Sequence, residues 1–261
     1  MNASSRTFFG ISALLFAGSA AVTVVWCGSM AGMGGMPMPG DWTMSMAWMR
    51  MPGQSWSGAA ASFLGMWVVM MVAMMLPSLV PMLWRYRRAI GSGADHVRLG
   101  ALTALVAVGY FLVWTAFGVI AFPLGVALAT ITMQLPTVAR GVPIAIGAVV
   151  VIAGALQFSS WKARQLACCR GTTGHSRVLE ADVATAWRYG LRLGLHCTYC
   201  CAGLTAVLLV IGVMDLRAMA VVAVAITLER LAPAGQRVAR IIGVVVVAAG
   251  LFLIAREAGM G

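Results

Sequence analysis

Long runs of apolar residues dominate the chain, and most charged positions fall in short segments between them. A helix that spans a bilayer needs about 20 residues, with a range of about 17–25. No run alternates polar and apolar residues with a period of two, as the strands of a transmembrane β-barrel would. The pattern therefore predicts an all-α, polytopic transmembrane helix bundle with about seven spans. The predicted spans are 8–26, 58–84, 99–122, 143–158, 193–213, 216–231 and 241–255.

Some spans have uncertain limits. The spans 143–158 and 216–231 are at or just below the lower length limit for a membrane helix, and 241–255 is marginal. Pro123 follows the third span, yet residues 124–133 are still apolar, so this piece either extends the helix or lies in the membrane interface. Arg6 precedes the first apolar run as in a signal peptide, and we interpret that run as a signal-anchor helix.

The basic residues give the predicted orientation. With the N-terminus inside, 14 of the 18 Arg and Lys residues fall in inner segments and 4 in outer segments. Cytoplasmic loops carry such an excess. We therefore predict one transmembrane domain over residues 1–261 in a bacterial inner (cytoplasmic) membrane, with the N-terminus in and the C-terminus out. The longest loops are then an outer one at 27–57 and an inner one at 159–186.

Composition agrees with this prediction. The chain is 61% apolar and 10% charged, with a mean hydropathy of +0.94, whereas soluble domains are about 45–50% apolar and about 25% charged. A soluble enzyme, a disordered chain and a disulfide-stapled secreted module are excluded. The net charge of +11 does not indicate nucleic-acid binding, because the basic residues lie between apolar spans.

The outer loop is rich in methionine and has no Leu or Ile. Thioether sulfur suits Cu(I) and not Mg²⁺ or Ca²⁺, and glycines and prolines prevent a long helix here. One flexible segment would therefore fold several sulfurs around one ion. The alternative is adaptable apolar filler that packs against the bundle or a partner. The candidate ligands are Met30, Met33, Met36, Met44, Met46 and Met49; Met38 and Met51 complete the set.

The second span carries a further group of methionines. Met66, Met70 and Met74 share one helical face at i, i+4 and i+8. Pro77 and Pro81 follow and leave backbone carbonyls that need other partners in lipid. One interpretation is a kinked core helix. The other is a row of sulfurs leading inward, with Met70 and Met74 as candidate ligands.

Five of the six cysteines lie between residues 168 and 201. Cys197, Cys200 and Cys201 share one helical face, and His196 is spaced to pair with Cys200. A site of this type suits Cu(I), Zn²⁺ or an iron–sulfur cluster; we favour copper, with zinc and iron–sulfur left open. The alternatives are close helix packing by small residues and thiol–disulfide chemistry.

Glu229 lies near the inner end of the sixth span, at the depth of these cysteines. A charge in a span costs about 2.5–3.5 kcal/mol even on a lenient insertion scale, so Glu229 needs a partner. Either Arg192 or Lys162 is the alternative partner, and an ion pair with one of them would make Glu229 structural and not a metal ligand. The predicted metal site joins Cys197, Cys200, Cys201, His196 and Glu229, with Cys168 or Cys169 folding back from the inner loop.

Several motifs together resemble a known family. They are Met66-Trp67-x-x-Met70-Met71-x-Ala73-Met74-Met75-Leu76-Pro77, Gln157-x-x-x-x-Lys162 with Cys168 and Arg170, Gly190-x-x-x-Gly194-x-x-Cys197-x-x-Cys200-Cys201, Gly212-Val-Met214, and Glu229. Over about residues 65–233 the chain resembles the bacterial family described as predicted metal-binding integral membrane proteins, a domain of unknown function. Ala202 replaces a Trp of that pattern, Arg230 replaces a Lys, and His196 is not part of it. The resemblance implies metal binding and brings no reaction.

Three functions compete. The first is Cu(I) handling (capture, storage or delivery), in which the outer loop captures the ion and the cysteines receive it. The second is a non-catalytic accessory or assembly subunit of a larger membrane complex. The third is a membrane metalloenzyme, which we rank last because the chain has three His residues and lacks paired acids. The expected partners are the lipid bilayer and other membrane subunits or a metal-delivery partner, with no nucleic acid.

Overall fold

The structure is a computed structural model that describes residues 3–32, 34–40, 42–90, 95–170 and 181–259. Within these ranges the chain forms eight α-helices, one short 3-10 helix and one pair of three-residue strands. The predicted all-α bundle is confirmed. The helices are α1 (Ala3–Ala31), α2 (Trp56–Ile90), α3 (His96–Gln134), α4 (Pro136–Leu156), α5 (Ser160–Arg170), α6 (Val183–Ile211), α7 (Leu216–Leu231) and α8 (Gly235–Ala258).

Six helices of the described chain are long and apolar enough to cross a membrane by length and composition, namely α1, α2, α3, α4, α6 and α8. This fits a multi-pass membrane protein. The expectation of about seven spans needs a correction at the predicted sixth span. That segment forms α7, but with 16 residues the helix is shorter than the about 20 that a full crossing requires.

The third apolar run is longer than the sequence indicated. Helix α3 continues through Pro123 to Gln134, so residues 124–133 extend the helix. Helix α2 likewise continues through Pro77 and Pro81. Proline removes one hydrogen bond from a helix, but in these two helices that loss does not end the element.

A tight link joins α6 and α7 as an antiparallel pair. Gly212 ends α6 with a φ of +148°, in the region that favours glycine. Asp215 then caps α7, and its carboxylate accepts hydrogen bonds from the backbone N–H groups of Arg217 and Ala218 at 2.8 and 3.0 Å. The pairing brings the last turn of α7 level with the first half of α6, where Cys197 lies.

Glycines allow α3 and α6 to pack closely. A Cβ atom at Gly194 would lie 2.9 Å from the Tyr110 carbonyl oxygen, and one at Gly190 would collide with the backbone of Val106. Small residues permit this approach of helix backbones in membranes. Helices α4 and α8 meet in the same way, since a Cβ at Gly154 would lie 2.7 Å from the Val247 nitrogen.

The methionine-rich segment is folded onto the bundle. Strand β1 (Met36–Met38) pairs antiparallel with β2 (Trp42–Met44), and a 3-10 helix follows at Met46–Trp48. The indole nitrogen of Trp42 donates a hydrogen bond to the Ala139 carbonyl of α4 at 2.9 Å. We call this end of the bundle the loop end.

The predicted inner loop at 159–186 is largely helical where it is described. Helix α5 occupies its first part, and α6 begins at Val183; residues 171–180 are outside the described ranges. Asp182 caps α6 by accepting a hydrogen bond from the Thr185 backbone N–H at 3.0 Å, and this bond lowers the pKa of Asp182. We call this opposite end of the bundle the α5 end.

Candidate metal centre

Four buried cysteines from α5 and α6 lie together at the α5 end, and we call them the cysteine group. Cys169 is hydrogen-bonded to Cys200, Cys200 to Cys201, and the Cys201 sulfur is 3.9 Å from that of Cys197. Each is at most 2% exposed, and all are free thiols. Metal–sulfur bonds are about 2.3 Å long, so two sulfurs at this separation can bind one ion.

The sulfurs form a string of neighbouring pairs. No group of three or more His, Cys, Asp or Glu side chains in the described ranges has the geometry to hold a metal. Structural zinc sites are closed, four-coordinate cages, and the cysteine group does not have that form. The hydrogen bond to Cys200, together with burial, raises the pKa of the Cys169 thiol.

A buried arginine lies against this group. Arg230 of α7 is 3% exposed, and its Nη1 donates hydrogen bonds to the Cys197 sulfur at 3.1 Å and to Ser78 Oγ at 2.8 Å. Its Nη2 contacts the Met82 sulfur at 3.1 Å, and the Tyr110 hydroxyl is 2.9 Å from the Cys197 sulfur. Among the residues that the structure describes, the partners of Arg230 include no carboxylate, so the guanidinium charge is available to balance a thiolate at Cys197.

Glu229 forms a buried ion pair beside the group. Its Oε2 is 2.7 Å from Lys162 Nζ, and its Oε1 accepts a hydrogen bond from Gln157 at 3.0 Å. Lys162 also donates to the Cys200 carbonyl oxygen at 2.6 Å. Burial alone would lower the pKa of Lys162, but the charges of Cys200 and Glu229 outweigh it and raise that pKa. Of the two rival bases it is Lys162 that reaches Glu229, while Arg192 is exposed.

Two further candidates lie at the margin of the group. His196 is half-buried, and its Nδ1 is 2.9 Å from Gln165 Oε1. Cys168 is half-buried next to the fully buried Cys169. Cys169 is therefore the cysteine of the pair that folds back, as far as Cys200. His196 remains a prediction as a ligand, with its ring already bonded to α5.

The methionine candidates occupy two other places. Met70 and Met74 are 0% and 4% exposed and pack in the core of the bundle. In the loop, Met36 and Met44 are partners across the hairpin, and Met46 lies in the 3-10 helix. The remaining loop candidates are Met30 at the end of α1, Met49, which is half-buried, and Met33, which lies outside the described residues.

The structure does not bring the loop methionines and the cysteines into one site. Met214, in the link just before α7, contacts Cys27 near the loop end, whereas Arg230, near the end of α7, contacts Cys197. At 1.5 Å per residue, the part of α7 from Leu216 to Arg230 spans about 21 Å. The two groups are candidate sites at opposite ends of one bundle.

Sequence reasoning missed three side chains that contact the site from other helices. Tyr110 and Ser78 gave no signal, because hydroxyl residues are ordinary in membrane helices. Arg230 did give a signal, since an ionisable residue in a span indicates function. Its position next to the end of its apolar run is, however, also typical of a basic residue at the membrane surface.

Comparisons with known proteins give one result that bears on these residues. A profile of the PpoB2 family, described as a copper chaperone, matches residues 64–253. No curated protein and no solved structure matches the chain. The matched range contains the whole cysteine group together with Lys162, Glu229 and Arg230, and it excludes α1 and the methionine hairpin. The chain belongs to the PpoB2 copper chaperone family.

Proposed function

We propose that the protein carries Cu(I) in a bacterial inner membrane, takes the ion up through the methionine-rich loop and holds it at the cysteine group before delivery. The observation that carries this proposal is the pair of sulfurs of Cys197 and Cys201, 3.9 Å apart and next to the Arg230 guanidinium. Thiolate is the metal-binding form of cysteine, and soft sulfur ligands select Cu(I).

The balance of charge supports a monovalent ion. Lys162 and Glu229 neutralise one another at 2.7 Å, which leaves the single positive charge of Arg230 at the group. One Cu(I) bound by two thiolates carries a net charge of −1, which Arg230 would balance. Zn²⁺ in a cage of four thiolates carries −2, which one guanidinium would leave partly uncompensated in a buried site. The arrangement favours copper over zinc.

The string of sulfurs also supports transfer. A chaperone has to release its cargo, and neighbouring thiols allow one ligand to replace another without the ion becoming bare. The sequence of contacts runs from Cys197 through Cys201 and Cys200 to Cys169 on α5. This path ends on α5, at the end of the bundle that the basic residues predict to face the cytoplasm. A metal-accepting partner or membrane subunit would bind there.

Copper content measures the proposal directly. Purified protein in detergent is loaded with Cu(I) without oxygen, washed with a competing chelator and analysed for copper. We expect wild type and C168S to retain copper, whereas C169S retains less and C197S/C201S loses the tightly held ion. Cys168 and Cys169 are a matched pair, because only the second contacts Cys200.

Folding is checked by helical circular dichroism and size exclusion. If C197S/C201S does not fold, C197A/C201A removes the same sulfurs without adding hydroxyl groups to the buried site. Copper retention by a folded double variant at the wild-type level would overturn the proposal.

A further inference from the structure

A cavity of about 210 Å³ lies at the loop end, between the methionine hairpin and the link from α6 to α7. Four of its lining residues are methionines, and they come from four different parts of the chain. These parts are the end of α1, strand β2, the 3-10 helix and the α6–α7 link. The residues are Met30, Met44, Met46 and Met214.

Met214 connects this cavity to a fifth sulfur. The Cys27 thiol of α1 lies 4.0 Å from the Met214 sulfur, and Cys27 is 1% exposed. The preceding turn at Gly212 has a φ of +148°, and it turns Val213 into the core, where it is fully buried. Met214 then follows in the wall of the cavity. A residue outside the methionine-rich loop is thereby placed among the sulfurs of that loop.

We propose that this cavity is a separate entry site for a soft monovalent cation, bound by the thioethers of Met30, Met44, Met46 and Met214. The identity of the ion as Cu(I) rests on the proposed function; the site itself rests on the cavity. The hairpin methionine, the two neighbouring loop methionines and the link methionine together supply four neutral sulfur ligands.

The size and the lining of the cavity suit the capture of a soft cation. A water molecule occupies about 30 Å³ of liquid, so the cavity admits a hydrated ion. Methionine is unbranched and flexible, which lets the sulfurs close on an ion as it loses water. Asp215 also lines the cavity and is exposed. Its carboxylate attracts cations, and one carboxylate is too few for Ca²⁺, which takes about six to eight oxygens.

Silver(I) is the probe, because it shares the ligand preference of Cu(I) and is not oxidised in air. The test uses C169S/C197S/C200S/C201S, or the matching alanine variant if the serines prevent folding, so that the cysteine group contributes nothing. Native mass spectrometry is expected to show one bound Ag(I). M44L/M214L in this background is expected to lose it. M51L is the control, because Met51 belongs to the same loop and does not line the cavity.

A second measurement does not depend on the leucine variants folding. Bound Ag(I) is expected to protect Met44 and Met214 from oxidation to the sulfoxide by peroxide, as read by peptide mapping, while Met51 is oxidised equally with and without silver. Silver binding that survives in folded M44L/M214L, or equal oxidation of Met44 and Met214 with and without silver, would overturn the entry site. Leucine variants that keep silver but lose a membrane partner would likewise overturn it and assign the cavity to docking.

The two proposals fail separately. If the entry site is wrong, wild-type protein still retains copper at the cysteine group after the chelator wash. Failure of the cysteine group leaves silver binding at the cavity intact.

Discussion

The Nη1 atom of Arg230 lies 3.1 Å from the sulfur of Cys197, in a part of the bundle where both side chains are at most 3% exposed. The short link between α6 and α7 brings the two residues level, since the helices run antiparallel from Gly212 and Asp215. A buried cation next to a buried thiol creates a position where a negatively charged metal–thiolate complex is balanced.

Replacing Arg230 tests this balance. R230M removes the charge and the hydrogen bonds to Cys197 and Ser78. Hydrogen bonds to charged groups contribute about 1.5–3 kcal/mol, so Cu(I) affinity is expected to fall by about ten- to a hundredfold in chelator competition. R230K keeps the charge and is expected to retain most of the affinity. Wild-type affinity in folded R230M would show that the guanidinium does not support the bound ion.

Variants of Lys162 and Glu229 distinguish a structural role of Glu229 from a role as a metal ligand. E229Q or K162M alone leaves one buried charge without its partner, and we expect a loss of about 3–5 kcal/mol of stability in thermal or denaturant unfolding. The double variant K162M/E229Q removes both charges and is expected to recover most of that loss.

The copper content of the same double variant, K162M/E229Q, tests whether Glu229 is a ligand. We expect it to match wild type, because the carboxylate of Glu229 contacts Lys162 and Gln157. A stable double variant that has lost its copper would instead make Glu229 a ligand.

The close packing of α3 against α6 gives a further prediction. G194A places a Cβ 2.9 Å from the Tyr110 carbonyl oxygen, so α3 and α6 must separate, at a cost of about 1–3 kcal/mol. The contact between Tyr110 and Cys197 lengthens, and Cu(I) affinity is expected to fall although every cysteine remains. G100A is the control, because a Cβ there meets nothing within 4 Å. Equal copper affinity in G194A and G100A would show that the contact between Tyr110 and Cys197 does not support copper binding.

Orientation is tested by labelling in intact cells with an impermeant thiol reagent, in a C168S background. Ser57 is exposed near the loop end, and Val97 is 78% exposed near the opposite end. We expect S57C to react in intact cells and V97C to react only after the membrane is opened, because the distribution of basic residues predicts that the α5 end lies inside. The reverse pattern would invert the proposed direction of transfer.

Much of this arrangement follows from local sequence patterns. The lengths of the apolar runs predict the helices, and the i, i+3, i+4 spacing predicts that Cys197, Cys200 and Cys201 share a face. The cost of a charge in a membrane predicts that Glu229 has a partner, and Lys162, one of the two bases that the sequence offers, is that partner. These features depend on residues close in sequence or on one energetic rule.

The remaining features depend on contacts between distant segments. Tyr110 reaches Cys197 only because glycines of α6 let α3 approach. The cross-strand pair of Met36 and Met44 depends on a hairpin whose strands have three residues each, too short to give a periodic signal. Met214 joins the loop methionines through a turn about 170 residues later in the chain. No spacing rule within a single element predicts such contacts.

X-ray absorption at the copper edge tests the central claim most directly. The sample is M30L/M44L/M46L/M214L protein loaded with one equivalent of Cu(I), so that the cavity at the loop end contributes no sulfur. The account predicts Cu(I) with a sulfur-only first shell at about 2.3 Å, and loss of that shell in the same protein with C197S/C201S added. A first shell of nitrogen and oxygen, or an unchanged sulfur shell after the cysteines are replaced, would contradict it.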